Sequence, residues 1–308
     1  MSLFVLRQNS LRAALIATTL GLFALSWAVP SNSSAQTPPN RRPANAANVA
    51  IPAESKATVD VLGMKLGKSS AADIQAVLKG VTPQLAIAEQ PGWLVVKVSK
   101  SGMKLDTRVP NSEYLNYISG TTLPFRSQCQ DAGGGRGNCE FIFVYFSLPP
   151  PAPGVAVAVH RQFLFSEKPR LQNVVEGLVQ KYGEPGFQSN YNNSNVEFTF
   201  IWAWDFAGKP IRVDAQHPCA NNNSFITVRD PVAIAEHSKP ALQRGCAAYL
   251  QIKINADNGL ATMMRLHARD HFATYAAALR AQAFAATAMA NSDQDRLNRA
   301  SGAPVPKN

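Results

Sequence analysis

From Val196 to Phe206 the chain alternates without a break, and that alternation limits what it can fold into. Phe198, Phe200, Trp202, Trp204 and Phe206 fall on one face of an extended strand, with Thr199, Ile201, Ala203 and Asp205 on the other. So large an apolar face needs a cover. The preceding segment supplies one: in Pro169–Tyr182, Leu171, Val174, Val175, Leu178 and Tyr182 recur at helical spacing, and Gly183 and Pro185 are stop signals. Left uncovered, Phe200, Trp202 and Trp204 would instead form an aromatic platform able to stack on sugar rings or peptide side chains.

The rest of the chain repeats this mixture of helices and hairpins. Ser70-Ala-Ala-Asp73 resembles a capping box and opens a helix to Lys79, with Ile74, Val77 and Leu78 at helical spacing. Asp270 is placed as the N-cap of a helix through Phe272, Tyr275 and Leu279 toward Met289, and a weaker helix covers about Pro231 to Leu242. Strands are expected at Phe141–Phe146, Val155–Phe165, Tyr249–Ile254 and Leu260–His267, the last two joined by the turn Ala256-Asp-Asn-Gly259. Alternating strand–helix order is absent, which disfavours a doubly wound nucleotide-binding sheet. The expected class is α+β, with antiparallel sheets and helices packed on one face, built from two repeated helix-plus-hairpin units. The units are placed at 58–165 and 166–291.

Export is written into the N-terminus. Arg7 and Arg12 precede an uncharged apolar run, Ala13–Val29, and then the small residues of Ser31–Ala35, the three-part layout of a signal peptide over 1–35. Retention as an anchor is the alternative, since about 17 apolar residues is the lower limit for a span. No later segment is long and apolar enough to cross a bilayer, so no membrane span is expected after cleavage. Residues 36–57 are rich in Pro, Ala and Asn and read as a disordered linker, and 292–308 as a disordered tail.

Four cysteines, Cys129, Cys139, Cys219 and Cys246, suit an oxidising compartment, the periplasm or the cell exterior. Neighbour pairing, Cys129–Cys139 and Cys219–Cys246, is expected because each pair brackets a loop-like stretch. A zinc site would need a Cys-x-x-Cys spacing that this chain lacks. The net charge of +10 falls to +8 when Arg7 and Arg12 leave with the signal. The basic residues are scattered, so no nucleic-acid partner is expected, and a cell-wall polymer or another envelope protein fits as well as any anionic surface.

The unit of helix, Tyr182-Gly-Glu-Pro185 and a strand carrying Trp202 and Trp204 resembles the helix–(Leu/Tyr)-Gly-x-Pro–strand unit of small envelope proteins related to the outer-membrane-assembly lipoprotein BamE. A fainter copy lies at Leu62-Gly-Met-Lys-Leu-Gly67 before the helix from Ser70. This first copy lacks the terminating Gly-x-Pro, and no lipid-attachment cysteine is present. The resemblance implies an envelope-located, non-catalytic module that contacts other proteins.

Motifs for chemistry are sparse. In His267-Ala-Arg-Asp270-His271, the histidines lie four apart with an acid between them, superficially like an inverted zinc-protease motif. A strand end at His267 and a helix start at His271 would point the two rings apart, so no metal is assigned to His267, Asp270 and His271. The stretch Gly133–Gly137 lacks the Lys-Ser/Thr and helix of a phosphate cradle, and no Gly-x-Ser-x-Gly elbow occurs. No catalytic residue and no cofactor is expected. The expected function is that of an exported, non-catalytic binding or scaffold protein of the cell envelope. The alternatives are a hydrolase with an unfamiliar, metal-dependent site and a glycan- or cell-wall-binding module.

Overall fold

The computed structural model describes residues 49–81, 85–122, 139–148, 154–190, 195–220 and 230–301. The expected signal peptide, most of the linker, Cys129 and residues 302–308 lie outside them. The chain enters through β1 (Asp60–Val61) and β2 (Met64–Lys65), a two-stranded pair, and then α1 (Ala71–Val81). The cap of α1 is reciprocal: the Ser70 N–H donates to Asp73 Oδ2 at 2.8 Å and the Asp73 N–H to Ser70 Oγ at 3.3 Å, satisfying donors that the first turn leaves open.

Four strands follow, β3 (Leu85–Lys100), β4 (Met103–Thr122), β5 (Cys139–Phe146) and β6 (Ala156–Leu164). Next come α2 (Leu171–Tyr182), β7 (Phe187–Asn190), β8 (Asn195–Trp204), the short β9 (Pro210–Ile211) and α3 (Pro231–Gln243). The last elements are β10 (Ala248–Asp257), β11 (Leu260–Asp270) and α4 (His271–Ser301). All strands from β3 onward form one antiparallel nine-stranded sheet in the order β3-β4-β5-β6-β11-β10-β8-β7, with β9 also paired to β8. Each half therefore contributes a helix and a run of antiparallel strands laid inward from one edge, and β6 meets β11 at the centre. The 165/166 boundary falls between β6 and α2, yet the β6–β11 pairing makes the halves parts of one sheet.

One face of the sheet carries the principal core. Ile118, Ile142, Val144, Val159, Phe200, Trp202, Leu250, Ile252 and Leu266 pack there with Ile74 and Leu78 of α1, while α2 applies Leu171, Val174, Val175, Leu178 and Tyr182. The aromatic stripe is this core. Phe200 and Trp202 are 1% and 3% exposed, and the Trp202 indole N–H donates to the Gly183 carbonyl at 2.8 Å, joining strand and helix stop. Phe200, Trp202 and Trp204 are thus not an exposed platform: the first two are buried, and half-buried Trp204 packs against the same cluster.

The opposite face is covered in part by α3 and α4. Ala241 of α3 packs with Ile201, Ala203, Tyr249 and the Cys219–Cys246 disulfide, while Ala278, Ala281 and Ala285 of α4 pack with Leu94 and Val109 of the β3–β4 ribbon. Alanine at these positions lets helix and ribbon approach closely. The α4 helix continues to Ser301, well into the segment read as tail. The residues from Asn291 are exposed but contain no Pro or Gly before Gly302, and local pairs such as Arg296–Asp293 at 3.4 Å support the turns. The end of the expected linker is also engaged: the Lys56 N–H donates to the Phe206 carbonyl at 2.8 Å, and Ala57 is buried.

Candidate functional site

On the face away from α1 and α2, antiparallel register lines side chains into rows running across the strands. Tyr117, Tyr145, Ala158, Arg269, Tyr249 and Ala203 form one row. Ser119, Phe143, His160, His267, Gln251 and Ile201 form the next. Thr121, Phe141, Gln162, Arg265, Lys253 and Thr199 form a third. Burial grades across this surface. Arg269, Tyr249 and Gln251 are buried, whereas Tyr117, Phe141, Phe143, Tyr145, His160, His267, Lys253 and Arg265 remain partly exposed.

The partly exposed zone is a continuous sheet of rings. Tyr117 lies 5.5 Å from Phe143 and 5.7 Å from Tyr145 between ring centroids, and Phe141 lies 5.6 Å from Phe143. Phe141 meets His160 edge-on at 5.0 Å, and His160 stacks on His267 at 4.4 Å. Burial, then the neighbouring His267 and Arg265, push His160 down to about 3. Burial, then Lys253 and Arg265, push His267 down to about 4. Both rings are therefore neutral at physiological pH, which removes the repulsion that two imidazolium ions would feel in a stack. Burial, with Tyr117 beside it, raises Tyr145 to about 12, so its hydroxyl stays protonated. Beside the rings, Glu197 bridges Lys253 at 2.9 Å and Arg265 at 2.5 Å, leaving this corner with one net positive charge.

The sequence candidates are divided by the sheet. His267, Arg269 and His271 face this layer, while Asp270 turns to the other side, where its carboxylate approaches Gly67 and its Oδ1 accepts from the Ala273 N–H at 2.7 Å, capping α4. The histidines do not point apart as expected. They share one side, but each sits on a different partner, His267 on His160 and His271 on Tyr249. His271 is fully buried, stacks on Tyr249 at 5.3 Å, and its Nε2 lies 3.1 Å from the Cys219 carbonyl. Asp270 is raised to about 6 by burial, against the lowering pull of the Ala273 and Phe272 N–H groups and Lys68. Among the described residues no group of three His, Cys, Asp or Glu is arranged to hold a metal. The Cys219–Cys246 disulfide joins the segment before α3 to the start of β10 as expected. The other expected bridge has Cys139 buried at the head of β5 and Cys129 outside the described residues.

The ring zone draws on residues that sequence reading passed over. Phe141-Ile-Phe-Val-Tyr-Phe146 is apolar on both faces, a sign that its second face also has work to do. Tyr117 lies on a strand broken by Pro110 and Asn111, which hid its period, and Arg269 stood inside the His267–His271 motif without a role. No family model, curated protein or solved structure matches this chain.

Proposed function

We propose that this chain is an exported, non-catalytic binding protein of the bacterial envelope, and that it meets a protein partner on the ring-lined face of its sheet. The observation that carries this reading is the partly exposed run Tyr117, Tyr145, Phe143, Phe141, His160 and His267, in continuous ring contact and flanked by Lys253 and Arg265. Tyr, Phe and Arg are the residues that concentrate binding energy at protein interfaces, because they bury large areas at small entropic cost. A rigid sheet holds them without further ordering, which lowers the cost of association. The disulfide and the signal-like N-terminus support the compartment. The resemblance of the Tyr182–Pro185 unit to envelope modules supports the non-catalytic role.

Co-sedimentation tests the reading. Wild-type protein is expected to sediment with isolated bacterial envelopes, and a Tyr117→Ser/Phe143→Ser variant with an unchanged circular dichroism spectrum is expected to remain in the supernatant. Equal sedimentation of the two proteins would overturn the assignment of this face. Sedimentation with protein-free cell wall would move the partner from protein to polymer.

A further inference from the structure

Beneath α3, the same face of the sheet holds a charge that no carboxylate among the described residues neutralises. Arg269 is 3% exposed, and its Nε and Nη2 atoms have no hydrogen-bond partner. Among the described residues no carboxylate pairs with it, and the group acting on it is the Tyr249 hydroxyl, its cross-strand neighbour. An arginine cannot escape burial by losing its proton, so an unpaired buried guanidinium is a costly feature that needs a counter-charge. Among the described residues the side chains coupled to it do not supply one. Arg269 acts on His271 of α4 and on His237 of α3, and neither is acidic.

Other buried polar atoms of the same layer narrow the chemistry of an anion that would fit it. Ser238, next to His237 on α3, is fully buried with its hydroxyl unpartnered. Gln251 Oε1 and His271 Nδ1 are also buried without partners. Because His271 Nε2–H must donate to the Cys219 carbonyl, Nδ1 is left as an acceptor. The layer thus offers a guanidinium and a hydroxyl to donate, and an imidazole nitrogen and an amide oxygen to accept. An anion that carries its own O–H satisfies both sets. Hydrogen phosphate does so at neutral pH, whereas sulfate and carboxylates bring acceptors alone. Half-buried His237 places the edge of the layer at the surface.

We propose that Arg269, with Tyr249, Ser238, Gln251, His271 and His237 around it, forms a binding site for a protonated phosphate group, either free or as a phosphate monoester. The site adjoins the ring-lined zone on the same face, where Gln251 pairs with His267, but shares no residue with it, so failure of envelope binding leaves it intact.

Calorimetric titration of the purified protein with inorganic phosphate, glycerol phosphate and sulfate, at matched ionic strength in a chloride buffer at about pH 6, where about half of a monoester still carries its proton, tests it. Saturable one-to-one binding of inorganic phosphate or glycerol phosphate is expected, with sulfate weaker by about tenfold or more, the value of one well-placed hydrogen bond. Arg269→Met is expected to abolish binding, and Arg269→Lys to weaken it about tenfold by losing the planar fork. His237→Phe, at the rim, keeps the test open if the Arg269 variants misfold, and is expected to weaken binding several-fold. Inorganic phosphate as the better ligand identifies a free ion, and glycerol phosphate a lipid or polymer that ends in a phosphate monoester. No saturable binding of either, or binding that Arg269→Met and His237→Phe leave unchanged, would overturn the proposal.

Discussion

Replacing His271 by Phe removes one titrating group from the layer between β10 and α4 while keeping a ring against Tyr249. Burial, and then the neighbouring Arg269, drive His271 down to about 3 from its ordinary 6.5. The folded form therefore holds the neutral ring while the unfolded chain takes a proton. The contribution of His271 is fully present above pH 6.5 and is lost progressively as pH falls toward 3. At about pH 5 the unfolded chain gains roughly 1.5 units of protonation free energy that the fold cannot match, about 2 kcal/mol.

The variant is free of this penalty and loses the bond to the Cys219 carbonyl, worth about 1 kcal/mol at any pH. Asp270, raised to about 6, contributes with the opposite sign: its neutral form suits the fold, so that contribution grows as pH falls through 6. It is present in both proteins and cancels in their difference. Urea unfolding in phosphate-free buffers at about pH 7.5 and about pH 5 is the assay, and the wild-type advantage is expected to fall by about 2 kcal/mol between them. A difference that stays constant within about 0.5 kcal/mol would refute the buried, neutral state of His271.

Two further effects on stability follow from the packing. Cys219 and Cys246 are 27 residues apart, so the Cys219→Ala/Cys246→Ala variant is expected to lose about 3–4 kcal/mol in urea unfolding by the loop-entropy argument, and reduction of the wild type should lower Tm correspondingly. Gly67 has a φ of +78°, and a Cβ there would stand 2.6 Å from Asp270 Oδ2. Gly67→Ala is therefore expected to destabilise by roughly 2 kcal/mol, and a thermal melt that matches wild type would contradict the placement of Asp270 against this turn.

How much of this was legible in the sequence depends on which interactions are local. The capping box at Ser70, the Gly183 stop, the Asp270 cap and the Asn258-Gly259 turn, both with positive φ, all act within a few residues and can be read from the chain. The β3–β4 ribbon could not be read in the same way. Its pairing shifts register at Pro91 and again between Trp93 and Val95, and Asn111 takes a φ of 52°, so neither strand keeps one period for long. Periodicity placed Trp202 and Phe200 on one face, but the choice between platform and core was made by α2, a contact between elements. The ring-lined face was least visible of all. Tyr117, Phe143, His160 and His267 come from four strands, and only the strand order brings them into line.

Site-directed photo-cross-linking in living bacteria tests most directly whether that face is where the protein works. A benzophenone side chain would be placed at Tyr117 or Phe143 on the ring-lined face, and at Glu176 on the exposed side of α2. The account predicts a discrete cross-linked protein from the first two positions and none from Glu176. Equal adducts from all three positions, or an adduct from Glu176 alone, would contradict it.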